Sequence, residues 1–340
     1  MVTRVRHQGV KNVIPRGLLG ATKPSLLRTP GNDALVCYAP AMARAPGLIP
    51  LSEHVYYLPD SVNCAVVVGE GGQAVLIDTG QDKDHGRRLA QACEARGVRP
   101  AAIVNTHSHA DHYGGNDYLT RNLGLPVYAP PFEASIMQEP YLEPVYLFAG
   151  AKPPAEMLNK WLLAKPSPVD YLLAPGELGL FGVTLTVLDT SGHAHRHYAV
   201  QVDDVLIAAD AVFGLGLLEK YPLPFGQDIG RQRASMAAVG TLGARVVVPG
   251  HGEPTEEVGG LVAANLAALD RAAEVVAAAC IGVDSATVLK TTCDALGIAI
   301  NDLPRYTLNL CTVQAYLSYL REAGRIGFEL RDNRLCWQQS

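Results

Sequence analysis

Three histidines and one carboxylate fall within six residues of this 340-residue chain, in Thr106-His107-Ser108-His109-Ala110-Asp111-His112. The apolar run Ala101-Ala102-Ile103-Val104 precedes them and reads as a short buried strand, which puts the polar cluster on the loop leaving it. Imidazole nitrogens and carboxylate oxygens are the donors that Zn²⁺, Fe and Mn²⁺ accept. A lone histidine on an apolar face is usually a core residue with its hydrogen bonds met; four donors this close together point instead to metal. His107 and His109 are two apart, so on an extended loop they face one side and can chelate one ion. Asp111 and His112 come as the chain turns toward a helix and can reach a second ion, ~3.5–4 Å from the first if the two share a bridging ligand.

A two-ion site needs further donors from other strand ends, and the sequence offers them. Val183-Thr184-Leu185-Thr186-Val187-Leu188 is a strand by composition and runs on through Asp189-Thr190-Ser191-Gly192 to His193. Val205-Leu206-Ile207-Ala208-Ala209 ends in Asp210, and Arg245-Val246-Val247-Val248 is followed by Pro249-Gly250-His251-Gly252. Each apolar strand delivers one His or Asp at its exit.

From about Leu51 to Glu253 the chain resembles the metallo-β-lactamase-fold hydrolase superfamily. The resemblance rests on five motifs in order: Leu76-Ile77-Asp78-Thr79-Gly80, the THSHADH stretch, Gly192-His193, Asp210, and the PGHG around His251. It implies an α/β fold, an αββα sandwich with the site at one edge of two sheets. Carried over position by position, it implies that His107, His109 and His193 hold one metal. Asp111, His112 and His251 would hold the second, with Asp210 bridging and Asp78 orienting a ligand histidine by hydrogen bond. Two divalent ions, zinc first and iron or manganese as alternatives, would lower the pKa of a water from 15.7 toward ~7. The resulting hydroxide attacks a carbonyl carbon or phosphorus, with Asp111 and Asp210 as the catalytic carboxylates. After His193 the chain has Ala194-His195-Arg196-His197 where many relatives have Thr-Pro-Gly; His195 and His197 read as ordinary loop residues, with contact to substrate or to the ligands as the alternative.

A carboxylate at Asp210, where true β-lactamases of the resembled families carry Cys or Ser, is similar to the glyoxalase II, lactonase and nuclease branches. With no secretion signal, an antibiotic-degrading role is not expected. The expected activity is hydrolysis of a small, partly hydrophobic ester, thioester or lactone. Two alternatives stay open: a metal-dependent endoribonuclease or phosphodiesterase, and mononuclear-iron persulfide dioxygenase chemistry, which shares a similar HxHxDH stretch.

Bulk properties fit a cytoplasmic enzyme. Apolar residues make up 48% of the chain, enough for a large core, and the net charge of −5 gives no global footprint for nucleic acid or anionic membrane. Seven scattered cysteines without a C-x-x-C pattern read as reduced thiols, and no apolar run reaches the ~18 residues of a membrane span. Residues 1–47 read as an irregular arm, the first 41 of them carrying six basic residues against Asp33 alone; a start at Met42 and a transit-like peptide are the other readings.

The catalytic domain is expected over 48–256, with helix 85–96 and a lid insertion at about 130–175. The lid is rich in Pro and large side chains, and Tyr141, Tyr146, Phe148 and Trp161 are the candidates to meet a small-molecule substrate. The loop 213–225 is the candidate opposite wall, and Asn63 reads as structural. Residues 257–340 are expected as a small helical domain: helices 258–280, 285–296 and 308–323, then a β-hairpin around a polar Arg331-Asp332-Asn333 turn, a winged-helix-like pattern. From 256 to 340 seven basic residues stand against ten acidic ones, which argues against a nucleic-acid partner and for packing or a homodimer contact.

Overall fold

The computed structural model describes residues 47–340 and the backbone of Thr3 and Arg4. Apart from Thr3–Arg4, the basic arm, the alternative start at Met42 and Cys37 therefore lie outside the described residues. The first sheet has eight strands: β1 (Thr3–Arg4), β2 (Ile49–Pro50), β3 (Val55–Leu58), β4 (Cys64–Val68), β5 (Gln73–Ile77), β6 (Arg99–Val104), β7 (Val127–Ala129) and β8 (Tyr171–Leu172), in the order β1-β8-β7-β6-β5-β4-β3-β2. The second has five: β9 (Gly176–Leu180), β10 (Val183–Asp189), β11 (Tyr198–Val202), β12 (Val205–Ala209) and β13 (Val246–Pro249), in the order β13-β12-β11-β10-β9.

Alternation of side chains across each strand explains why the sheets face each other. Val75 and Ile77 of β5, Ala102 and Val104 of β6, and Ala65 and Val67 of β4 point into one core with Leu185 and Val187 of β10, Val205 and Ile207 of β12, and Val246 and Val248 of β13. The intervening residues Leu76, Ile103 and Val66 point outward, where they meet Leu89 and Cys93 of α1 (Lys83–Ala95). Both faces are buried, so these strands read as continuous apolar runs. Each large side chain so placed contributes about 1.5–3 kcal/mol of burial. α1 is capped by Asp82, whose carboxylate accepts from the Asp84 and His85 amides, and so starts at Lys83, two residues before the expected start.

Strand direction collects the site. β5 and β6 are parallel, and so are β12 and β13. β10 is antiparallel to β11, which is antiparallel to β12, so β10 runs the same way as β12 and β13. The carboxyl ends of β5 and β6 lead to Asp78 and the His-rich loop; those of β10, β12 and β13 lead to His193, Asp210 and His251. Short helices α2 (Ala110–Tyr113) and α3 (Asn116–Leu123) follow β6. The lid segment holds α4 (Pro131–Gln138), α5 (Leu142–Leu147) and a single 3₁₀ turn at Ala155–Met157, and ends by joining the first sheet as β8.

On the outer face of the second sheet lie α6 (Leu215–Lys220), α7 (Ile229–Val239) and α8 (Val258–Ala279). Leu206 and Val247 share one apolar cluster with Leu261 and Leu269 of α8, and also with Val288, Val313 and Tyr316 further along the chain. The C-terminal region continues this core: β14 (Ile281–Asp284), α9 (Ser285–Leu296), α10 (Leu303–Glu322), β15 (Ile326–Arg331) and β16 (Arg334–Gln339), with sheet order β14-β16-β15. Strand β14 is absent from the sequence-based expectation. It pairs with β16 from a stretch of only four residues directly after a long helix, too short for a periodic signal. α10 starts at Leu303, five residues before the expected 308, because Asp302 caps it by accepting from the Arg305 amide and Pro304 fits its first turn. Asp332 and Asn333 both have positive φ, 50° and 59°, giving the two-residue turn that a tight hairpin requires.

Leu76 is fully buried between the first sheet and α1, whereas Leu330 on the hairpin is 78% exposed. Leu76→Ala is expected to lower unfolding free energy by about 2–5 kcal/mol, and Leu330→Ser by less than about 0.5 kcal/mol. Urea denaturation of the two variants checks this; equal losses would mean that the cores are misassigned.

Candidate metal centre

The carboxyl ends of four strands place seven donor side chains in two groups. His107, His109, His193 and Asp210 form one and Asp111, His112 and His251 the other, with the donor atoms of each group within 4.8 Å of one another. His109 Nδ1 lies 3.0 Å from His107 Nε2 and 2.9 Å from His193 Nε2, so three imidazole nitrogens converge. Asp210 stands between the groups. One carboxylate oxygen is 3.2 Å from His193 Nε2 and 3.7 Å from His251 Nε2; the other is 3.5 Å from His112 Nε2.

Hydrogen bonds behind the rings fix which nitrogen carries the proton. His112 Nδ1 donates to Asp78 Oδ2 at 2.8 Å, His251 Nδ1 to the Ser61 carbonyl at 2.8 Å, and His193 Nδ1 to the Phe225 carbonyl at 3.2 Å. Each bond consumes the proton on the far nitrogen and leaves the Nε2 lone pair aimed at the centre. His112 Nε2 and one Asp210 oxygen are buried without any hydrogen-bond partner. Two unpaired buried acceptors facing converging nitrogens are costly unless a cation joins them, so the residues present fit divalent metal.

The loops are shaped for this. Asp78 accepts from the Thr106 amide (2.9 Å) and hydroxyl (2.8 Å) as well as from His112, and it does so at a φ of 59°. Ala209, directly before Asp210, has a φ of 44°. Both are left-handed conformations that cost of order 1–3 kcal/mol in residues other than glycine. Gly250 has no alternative: a Cβ there would lie 2.1 Å from Asp210 Oδ1 and 2.9 Å from His112 Cε1. Asn63 braces the same loop, its amide donating to the Pro249 and Gly252 carbonyls at 2.9 and 2.6 Å.

Charge is unevenly held. Burial, with neighbouring imidazoles, pushes His107 well below the ordinary histidine range and His109 down to about 3. His112 is different: burial opposes its charge, but the Asp210 and Asp78 carboxylates outweigh it and raise it well above the ordinary range. His251 is likewise pushed up to about 9, against its burial, by Asp210 and Asp111. Asp111 is lowered to about 2, against its burial, by the His251 hydrogen bond and His112.

His197 does not fit the loop reading. It is fully buried behind the cluster: its Nε2 accepts the Asp210 amide proton at 3.2 Å, which leaves Nδ1 to donate to Thr190 Oγ1 at 2.8 Å. The alternative, contact with the ligand residues, holds for His197, while His195 lies edge-on to Phe132, ring centroids 4.9 Å apart. Sequence reasoning missed Glu133, buried in α4, which accepts from the Ser108 hydroxyl and amide and from the Arg196 amide at 2.9 Å. An acid in the otherwise apolar face of Pro131–Gln138 was its only signal. Asn105 and Asn116, bonded to each other at 2.8 Å under the loop, had none. Of the lid candidates, Tyr146 is half-buried and bonded to Gln227 at 3.2 Å, and Phe148 is half-buried. Tyr141 and Trp161 stand at the surface, 43% and 63% exposed.

Asp78→Asn keeps the shape but weakens the acceptor facing His112. Metal affinity is expected to fall about 10–100-fold with the fold retained, read by competition with a chromophoric chelator; unchanged affinity would remove Asp78 from the ligand support. A second expectation concerns protons. Without metal, His251 is protonated at pH 7, because its folded pKa is raised to about 9, above the unfolded 6.5. The His251–Asp111 pair therefore stabilises the metal-free chain below about pH 6.5, and that contribution is lost as pH rises through about 9. Metal loading at pH 7 must expel this proton, so apparent affinity climbs with pH toward 9. Calorimetric titration in buffers of different ionisation enthalpy checks this, and absence of proton release would contradict it.

Comparison with known proteins places the chain. A sequence model described as the metallo-beta-lactamase superfamily matches residues 57–251, more than half of the chain. "Probable metallo-hydrolase YqgX" of Bacillus subtilis (strain 168) is 28% identical over 148 residues, 43% of this chain and 64% of the relative. A hydroxyacylglutathione hydrolase of Xylella fastidiosa (strain M12) is 29% identical over 152 residues, 44% of this chain and 45% of the relative. The chain thus spans less than two thirds of the length of each. Among solved structures, a metallo-beta-lactamase family protein of Thermus thermophilus superposes with a TM-score of 0.66 at 22% identity, covering 86% of this chain and all of its own. A beta-lactamase domain protein of Burkholderia ambifaria gives 0.65 at 20% identity, covering 89% and 96%. These two likenesses are of fold, and they reach beyond the matched residues 57–251. The chain belongs to the metallo-beta-lactamase superfamily.

Proposed function

We propose that the chain is a metal-dependent hydrolase of a small, partly hydrophobic ester, thioester or lactone, acting in the cytoplasm. The observation that carries this reading is the pair of donor groups sharing one buried carboxylate, Asp210, with two buried donor atoms left unpaired. Names of relatives support the reaction class: a probable metallo-hydrolase and a hydroxyacylglutathione hydrolase. Bound at these donors, two divalent ions, zinc first, would raise the acidity of a water and polarise a substrate oxygen.

The chain's own residues do the rest. His107, His109 and His193 hold the first group and Asp111, His112 and His251 the second. Asp210 is shared, and Asp78 keeps His112 in the tautomer that donates its Nε2 lone pair. Asp111 and His251 form the open side, with side chains 27% and 21% exposed, so substrate approaches there and the Asp111 carboxylate can orient a nucleophilic water. Phe225 stands edge-on to the His109 and His193 rings at 5.4 and 5.5 Å, and Phe213 to His193 at 5.6 Å. These rings supply an apolar wall that keeps water from the acyl group's side of the site. No helix among the described residues is long and apolar enough to cross a membrane. The six cysteines among the described residues are all free, which suits a reducing compartment.

Dialysis against a chelator is expected to abolish turnover of p-nitrophenyl esters or lactones, and zinc, manganese or iron to restore it. Asp210→Asn should lower kcat/KM by at least about 100-fold. Elemental analysis should find two ions per chain. Turnover confined to bis-p-nitrophenyl phosphate would transfer the reading to a phosphodiesterase, and a single iron without hydrolysis would defeat it.

A further inference from the structure

We propose that Tyr146 and Gln227 form the part of the substrate site that recognises a neutral hydrogen-bonding group, of the amide class, on the acyl portion of the substrate. The proposal rests on the hydrolase reading above. Gln227 lies on the loop between α6 and α7, and its backbone amide donates to the Gly192 carbonyl at 2.9 Å, as does that of Asp228. Gly192 directly precedes His193. Two residues before Gln227, Phe225 takes the His193 Nδ1 proton on its carbonyl and lays its ring against His109 and His193. Gln227 is therefore held beside the first donor group, facing the lid.

Its side chain is half used. Gln227 Nε2 donates to the Tyr146 hydroxyl at 3.2 Å, while Gln227 Oε1 is buried with no hydrogen-bond partner among the described residues. The bond from Gln227 is one that Tyr146 accepts, which leaves its own O–H proton to give. An open acceptor beside an open donor is the complement of an amide, whose N–H meets Gln227 Oε1 and whose C=O meets the Tyr146 hydroxyl. Rotating the Gln227 amide by half a turn exchanges its ends and still leaves one polar atom unmatched.

The surroundings set the charge of the group. Glu143, one helical turn before Tyr146 on α5, is 4% exposed, and Glu133 on α4 is 1% exposed. Burial holds both carboxyls above the usual carboxylate range. The lid's lysines, Lys152, Lys160 and Lys165, are exposed on its outer surface. A substrate carboxylate here would be desolvated beside two buried acids, with the lid's lysines exposed to solvent, whereas a neutral amide bears no such cost.

The test uses the metal-loaded full chain and three p-nitrophenyl esters of equal acyl length, whose chains carry an amide, a methylene or a carboxylate. The wild type should favour the amide, then the methylene, then the carboxylate in kcat/KM. Tyr146→Phe and Gln227→Leu should each raise KM for the amide ester about two- to tenfold at unchanged kcat and leave the methylene ester alone. Equal losses on all three esters, no loss on any, or a wild-type preference for the carboxylate would overturn the subsite. A methyl ketone matching the amide ester, which no hydrolase cleaves, separates this from the hydrolase reading in a calorimetric titration. Ketone binding that depends on Tyr146, without ester turnover, keeps the subsite and removes the hydrolase. Turnover with ketone binding indifferent to both substitutions removes the subsite alone, as it would if the pair holds only a structural water.

Discussion

The whole architecture answers to one electrostatic problem: seven ionisable side chains gathered at one sheet edge, most of them out of reach of water. In a low-dielectric interior such groups repel, neutralise or unfold the chain unless each has a partner. Here the partners are layered. Asp78 accepts from His112 and from the Thr106 hydroxyl and amide; Ser61 and Phe225 offer carbonyls to His251 and His193; His197 accepts from the amide of Asp210. What is left over, an Nε2 lone pair and a carboxylate oxygen, faces inward. The strained backbone at Asp78 and Ala209 persists because the sheets on either side over-determine it.

The site is readable because its chemistry is dense and local. Four donors in six residues need no tertiary information to be noticed, and His193, Asp210 and His251 each follow an apolar run that announces a strand end. The sandwich is readable for a related reason: strands buried on both faces, such as Gln73–Ile77 and Val205–Ala209, leave unbroken apolar runs. What the sequence conceals is the supporting layer. Glu133, Asn105, Asn116 and His197 act through contacts between residues far apart in the chain, and a single buried acid or amide looks like any other until its neighbours are known. The loop reading of His197 fails for that reason. Its partners, Thr190 and the Asp210 amide, are seven and thirteen residues away across a strand pair.

Element boundaries depart from expectation where capping decides and periodicity does not. The start of α10 is set by Asp302 and Pro304, ahead of the apolar stripe that suggests 308. In contrast, Gly297 with a φ of 69° marks the end of α9 at the residue that its type predicts. Strand β14 exists only because β16 offers it an edge, so no local signal could declare it.

The lid does not rest on the catalytic sheets alone. Leu147, Met157 and Leu162 form a small cluster with Leu303, Leu308 and Cys311 of the C-terminal region, and the Thr307 hydroxyl reaches Met157 Sδ at 3.4 Å. The segment 130–175 is thus footed on α10, an element from outside the five metal-site motifs. Grafting this C-terminal region onto another sandwich, or exchanging it for a homologous one, would transplant half of a foundation. The two regions are therefore free to drift in sequence only together: a methyl group gained or lost under Tyr146 on one side has to be matched by the other.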